Sequence, residues 1–243
     1  MRIAAVTACS NVSGAVTDLL PHIEAAHEAG TLILVDAAQC CRNHALDVAA
    51  LGCDYLALSG HKMCAPTGIG VLYGTEHALD VLEPQSYGGG MVKKICDTEC
   101  EVHGLPTRLE AGTPNIAGAV ALGEACRYLQ GIGLAAVNER ELMLTARVEH
   151  GLAAVPGVTV LVSPRIRCGA VSFTHEHLSG YEIAARMDEL GFAVRSGHHC
   201  AIPALEAMGS EPTVRISPAF YNTEDECDAA VSAAAQAIAE LTR

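Results

Sequence analysis

Two short apolar runs with no polar residue inside them, Leu32–Val35 and Tyr55–Leu58, run straight into polar residues, Asp36 after the first and Ser59-Gly60-His61-Lys62 after the second. A strand with one wet face alternates apolar and polar residues, so unmixed runs of this length point to strands covered by helices on both faces of a parallel sheet. Helical patterns and further strand candidates surround them. Arg2–Val6 reads as a strand, Leu19–Ala29 as a helix closed by Gly30, Val48–Leu51 as a helix stopped at Gly52, and Gly70–Tyr73 as another strand. This alternation is that of parallel βαβ units, and open α/β sheets bind ligands just beyond the C-terminal ends of their strands. Asp36 and Lys62 both fall at such ends.

The pattern then changes. Glu83–Leu109 is mixed and glycine-containing and reads as a long excursion, functional or at a subunit contact. A helix is expected over Pro114–Leu129, and a composition break at Gly131–Gly133 marks a domain boundary, giving domains of residues 1–132 and 133–243. The second domain reads as a smaller α/β unit. It has a helix over 136–153, strands near 157–163 and 168–174, a helix over 179–190 and a strand over 192–195. A loop through Pro203, a strand over 213–217 and a closing helix over 223–241 complete it.

Charge and cysteine content narrow the function classes. The 28 acidic and 15 basic residues give a formal net charge of −13, which argues against nucleic-acid binding, because phosphate contacts are made by lysine and arginine. No apolar run is long enough to span a bilayer. The N-terminus, MRIAAVTACSN, turns polar too soon for a secretory signal. The 11 cysteines are irregularly spaced with no CxxC framework, so they read as reduced thiols of a cytoplasmic protein. Cys96, Cys100 and His103 have zinc-like spacing, C-x3-C-x2-H, but lack a fourth ligand, and no metal is expected there.

Three residues carry most of the chemistry. The chain has three lysines, and Lys93 and Lys94 sit side by side in the polar excursion, as a solvated pair would. Lys62 instead follows a buried strand in SGHKMCAPTGIG, a small-residue loop leading into the next apolar run. An amine in a partly desolvated pocket forms a Schiff base readily. Asp36 is placed either to hold a pyridinium nitrogen or to cap a helix before Ala37. Cys200, in VRSGHHCAIP, is flanked by Arg195, His198 and His199. Cationic neighbours favour the thiolate, although one more inert thiol among the 11 is an equally open reading.

Taken together, VDAAQ (35–39), SGHKMCAPTGIGVLYG (59–74), RLEAGTPN (108–115) and RSGHHCA (195–201) resemble the group II, SufS-like cysteine desulfurases and selenocysteine lyases. These are class V aminotransferases of pyridoxal 5'-phosphate (PLP) fold type I, and the similarity runs from about Ser10 to the C-terminus. The resemblance implies an α/β fold, with part of a PLP-binding large domain and a small C-terminal domain carrying the cysteine loop. It implies that Lys62 binds PLP covalently, Asp36 pairs with the pyridine nitrogen and Gln39 reaches the phenolic oxygen. Ser59 and His61 then hold the phosphate, and Asn11 lies near the ring and the substrate carboxylate. Thr113 would reach the phosphate of a partner subunit's cofactor, which implies a homodimer. Arg215 resembles the clamp on the substrate carboxylate, with Arg195 a second candidate beside Cys200. The implied reaction takes sulfur from L-cysteine, leaves L-alanine, and stores a persulfide on Cys200 for an acceptor protein in iron–sulfur cluster assembly. Selenocysteine is the alternative substrate.

Chains of this family begin with a long stretch ahead of the region matching SNVSG, including a glycine- and threonine-rich phosphate cradle and a histidine that stacks on the ring. Measured against them, the chain is expected to lack that part. It would then be one half of a split enzyme completed by an N-terminal chain, a shortened inactive product, or an α/β binding and assembly module without PLP.

Overall fold

The computed structural model describes residues 2–97, 99–161 and 167–243. They form two units. The residues up to Ala8 belong with Asp18–Gly131, and Cys9–Thr17 belongs with Ile132–Arg243.

In the first unit, strands β1 (Ile3–Thr7), β2 (Leu32–Asp36), β3 (Tyr55–Ser59) and β4 (Gly70–Gly74) lie side by side in that order. The first three are parallel and β4 returns antiparallel to β3. Helix α1 (Leu20–Glu28) packs on β2. Asp54 locks this arrangement, because one carboxylate oxygen accepts from Ile33 N at 2.8 Å and meets His27 Nε2 at 2.9 Å. The short helix α2 (Val48–Leu51) starts at Asp47, whose Oδ1 accepts from Ala49 N and Ala50 N, and stops at Gly52, whose φ of 71° suits glycine. Helix α3 (Glu76–Asp80) is pinned to β3 by the Tyr55 hydroxyl, which donates to the Ala78 carbonyl.

The expectation of two covered faces holds for one. Ile33 and Val35 are fully buried, but on the opposite face Leu32 and Leu34 are only half-buried, and Ile3 and Leu72 are 47% and 50% exposed. The polar excursion also holds more order than its sequence suggests. Strands β5 (Val92–Cys96) and β6 (Glu99–Val102) form an antiparallel hairpin whose register shifts between Val92 and Lys94. That register pairs Ile95 with Cys100 and Cys96 with Glu99, which puts the two cysteines on opposite faces. Among the described residues no group of three His, Cys, Asp or Glu side chains is arranged to hold a metal. Helix α4 (Ile116–Ile132) closes the unit, its first turn capped by Asn115 Oδ1, which accepts from Gly118 N at 2.9 Å.

The second unit is built on an antiparallel sheet in the order β7-β8-β10-β9: Val158–Val160, Val171–His175, Thr213–Ile216 and Arg195–Gly197. Helices α5 (Leu134–Ala153), α6 (Gly180–Glu189) and α8 (Glu224–Leu241) cover it, and Leu144, Leu152, Phe173, Ile183 and Val214 form its dry centre. Each such large side chain taken from water contributes about 1.5–3 kcal/mol. Ser179 and Thr223 start α6 and α8 with reciprocal caps, in which Glu182 and Glu226 return a bond to the capping residue. Among the bonds that join the segment Cys9–Thr17 to this unit are Cys168 N to the Gly14 carbonyl (2.7 Å) and Ser172 Oγ to the Val12 carbonyl (2.6 Å). Gly14 is required there, since its φ is 70° and an added Cβ would sit 2.6 Å from the Cys168 carbonyl oxygen.

Two local readings change. The strand expected over 192–195 is Arg195–Gly197, and a helix, α7 (Ile202–Ala207), replaces the loop through Pro203. Proline suits a first helical turn, whose N–H groups have no partner within the helix. The end of the strand expected near 157–163 lies outside the described residues beyond Leu161. No helix among the described residues is long and apolar enough to cross a membrane.

Candidate active site

In the first unit, strand ends gather Asp36 and Ser59. Both line a cleft with Ala5, Thr7, Ala38 and Ala57, and the register that pairs Thr7 with Asp36 and Asp36 with Ala57 puts these side chains on one face. Asp36 Oδ1 accepts from Ala38 N at 3.0 Å. The carboxylate therefore caps the turn after β2 while standing at the cleft mouth, so its two sequence readings are compatible. Ser59 Oγ lies 2.9 Å from His61 Nδ1, joining the two expected phosphate ligands. Lys62 follows in a 3-10 turn, Gly60–Met63, ended by the left-handed Cys64, and the Lys62 carbonyl accepts from Arg42 Nη1. Gly60 cannot be larger, as a Cβ would lie 2.8 Å from the Ile69 carbonyl oxygen. Gln39 is half-buried after β2, and Thr113 is exposed just beyond the left-handed Gly112.

The donors here suit pyridoxal phosphate: a primary amine for the aldehyde, a carboxylate for the ring nitrogen, and a hydroxyl joined to an imidazole for the phosphate. Small side chains (Ala5, Ala38, Ala57) leave the cleft room for a flat ring.

The second unit brings together Asn11, Arg195, Cys200 and Arg215. The Asn11 carbonyl accepts from Arg215 Nη1 at 2.6 Å, and the Asn11 amide donates to the His199 carbonyl. Arg195 Nη2 lies 3.8 Å from Cys200 Sγ, and the thiol is exposed. Arg195 and Arg215 stand directly opposite one another on β9 and β10. Like charges at such a position are destabilising unless something anionic joins them. Burial, and then Arg195, push the Arg215 guanidinium below its usual range, and its Nε is buried without a protein partner. Two facing guanidiniums, one short of acceptors, form a corner whose chemistry suits a carboxylate.

Sequence reasoning counted His199 among the cations around Cys200. The structure corrects this: the side chain is 3% exposed, and Nε2 lies 2.7 Å from Thr213 Oγ1. Burial, followed by Arg215, Arg195 and His198, pushes its pKa down to about 4, with a backbone bond to Thr213 opposing them. His199 is therefore neutral near pH 7. Neither its burial nor the role of Thr213 has a local signal, since the contacts come from residues 14 and 188 positions away. An unfolded chain protonates this histidine near 6.5, so between about 6.5 and 4 the unfolded state binds more protons and stability falls as pH is lowered. Urea melts at pH 7 and pH 4.5 are expected to show the chain losing about 2 kcal/mol more than a His199→Gln variant over that interval.

Residues 1–230 match the aminotransferase class-V family. A cysteine desulfurase of Cronobacter sakazakii is 42% identical over 232 residues, covering 95% of this chain and 57% of that protein. One of Synechococcus elongatus is 41% identical over 232 residues, covering 96% of this chain and 37% of the relative. Among solved structures, a cysteine desulfurase of Escherichia coli superposes with a TM-score of 0.91 at 36% identity, over 98% of this chain and 59% of that one. The apo cysteine desulfurase of Thermococcus onnurineus gives 0.91 at 35% identity, over 98% and 60%. The chain thus spans little more than half the length of most of these relatives. The family match over nearly the whole chain, together with a fold shared with solved cysteine desulfurases, shows that the chain belongs to the class-V aminotransferases, a pyridoxal-phosphate-dependent family.

Proposed function

We propose that this chain carries the reacting residues of a SufS-like cysteine desulfurase, which removes sulfur from L-cysteine, leaves L-alanine and holds the sulfur as a persulfide on Cys200. The observation that carries this reading is the exposed Cys200 sulfur with the Arg195 guanidinium 3.8 Å away. Class-V chemistry alone does not specify desulfuration, whereas a presented thiol beside a cation supplies the nucleophile that sulfur transfer needs.

Bound pyridoxal phosphate supplies an electron sink for charge developing at the substrate Cα. Lys62 Nζ would hold the cofactor, and its free amine would be the base placed to take the substrate Cα proton. Asp36 would keep the ring nitrogen protonated, Gln39 would meet the phenolic oxygen, and Ser59 with His61 would hold the phosphate. Arg215 clamps the substrate carboxylate, with Asn11 fixing the guanidinium through its carbonyl. Cys200 Sγ, as thiolate, attacks the substrate sulfur. The S–S bond forms, the Cβ–S bond breaks with its electron pair staying on carbon, and Cβ takes a proton to become the methyl of alanine. The persulfide then passes to a sulfur-acceptor protein in iron–sulfur cluster assembly. Thr113, exposed beyond Gly112, would reach a partner subunit's cofactor in a homodimer, and 11 free thiols suit a cytoplasmic setting.

The test is to supply the chain with pyridoxal phosphate and L-cysteine, then measure alanine and map the bound sulfur. Alanine with sulfur on Cys200 supports the reading. Alanine formed from selenocysteine alone makes the chain a selenocysteine lyase. A second reading, an α/β binding and assembly subunit without the cofactor, draws on the open sheet face at Ile3 and Leu72. It predicts partner binding indifferent to Lys62→Ala.

A further inference from the structure

The turn that presents Cys200 is built against the preferences of its own residues. His199 and Cys200 are consecutive non-glycine residues with positive φ, 53° and 60°, a conformation that single L-residues visit rarely and pairs more rarely still. Gly197 leads into the turn at φ 110°, where an added Cβ would lie 3.1 Å from the Tyr181 hydroxyl. Within the turn itself, one backbone bond closes the chain, from Ala201 N to the His198 carbonyl at 2.9 Å. Two hydrogen-bond restraints from distant residues act on His199 itself. Its imidazole is buried against Thr213 of β10, and its carbonyl accepts from the Asn11 side chain. The imidazole is an awkward filler, since Nδ1 is buried without a protein hydrogen-bond partner. What it adds over a leucine of similar volume is the Nε2 contact.

We propose that His199 is the positioning residue of the cysteine turn: anchored on Thr213 through its ring and on Asn11 through its carbonyl, it holds the left-handed pair that keeps the Cys200 sulfur beside Arg195. This rests on the desulfurase reading for its functional meaning, but the clamp is a property of the fold and is measurable without turnover. The Asn11 that holds the His199 carbonyl also accepts from Arg215, so the thiol turn and the carboxylate corner share one anchor.

The test compares His199→Leu, which keeps volume and loses the polar contact, with His199→Gln, which keeps a donor at similar reach, and with Thr213→Val, which removes the anchor from the other side. Amide hydrogen exchange is read without substrate on peptides covering residues 195–203 and, as internal control, β8. The leucine and valine variants are expected to exchange about tenfold or more faster across the turn with β8 unchanged, while glutamine stays near wild type. With L-cysteine, the same two variants are expected to lose about 10- to 100-fold in the rate of sulfur transfer at unchanged KM, and glutamine to restore it. Leucine behaving as wild type in exchange overturns the proposal and leaves His199 a packing residue; if that variant does not fold, wild-type exchange in Thr213→Val does the same. Failure of the wild-type chain to release alanine counts against the desulfurase reading alone, because the exchange result still decides the clamp.

Discussion

Lys62→Ala is expected to abolish every covalent trace of pyridoxal phosphate on the chain. After incubation with the cofactor and reduction with borohydride, the wild type should carry one pyridoxyl group, on the peptide containing Lys62, and the variant none. The composition helps the experiment, since the other lysines are Lys93 and Lys94 and peptide mapping separates them from an α-amino adduct. Lys93 is paired with Glu101 at 2.8 Å, which raises its pKa and holds the amine as the unreactive ammonium. Both lie on the exposed strand β5 of a separate two-stranded hairpin. Lys62 sits on the 3-10 turn directly after β3, the position at which open α/β sheets bind ligands. Lys62→Arg sharpens the result. It keeps a positive charge for the phosphate, but a guanidinium stays protonated and forms no Schiff base, so retention by charge alone survives in arginine and fails in alanine. An adduct persisting at Lys93 or Lys94 in Lys62→Ala would remove Lys62 from its assigned role.

How far this site was readable in the sequence depends on the range of the interactions that make it. LILVD and YLALSGHK announced β2 and β3 because a covered strand needs a continuous apolar run, and that demand acts over a few neighbouring residues. Asp36 and Lys62 followed from position alone. The hairpin of β5 and β6 escaped because its strands are exposed, polar and shifted in register between Val92 and Lys94, leaving no alternation to see. Helix α7 escaped because Pro203 reads as a breaker unless the first turn is known to begin at Ile202. His199 was misread outright. Beside Arg195 and His198 it passed for another cation, and only Thr213 and Asn11, brought in by the antiparallel sheet and by the Cys9–Thr17 segment, reveal a buried neutral ring. The open face of the first sheet runs against its sequence, since LILV reads as covered on both sides while Leu32 and Leu34 are only half-buried.

Cys200→Ser is the complementary experiment on the second unit, and its expected effect on sulfur transfer is complete. Serine preserves size and the capacity to hydrogen bond but cannot form a persulfide, so cyanide-labile sulfur on the chain after exposure to L-cysteine should vanish. Alanine release with cofactor bound should fall by about three orders of magnitude or more, the scale of losing a covalent nucleophile. The other cysteines supply the control. Cys9, Cys40, Cys53, Cys168 and Cys227 are buried, and burial holds the Cys53 and Cys227 thiols above their ordinary pKa, which disfavours the attacking thiolate. Cys64, Cys96 and Cys100 are exposed like Cys200, so exposure alone would spread sulfur among four positions. Cys96 and Cys100 sit on the hairpin among Lys94, Glu99 and Glu101, whereas the Cys200 sulfur has the Arg195 guanidinium 3.8 Å away. If geometry governs the chemistry, sulfur accumulates on Cys200 in the wild type and on none of the other three in Cys200→Ser. Sulfur appearing on Cys64, Cys96 or Cys100 at the wild-type rate would mean that released sulfide reacts with whichever thiol is accessible, and the role assigned to the Cys200 turn would fall with it.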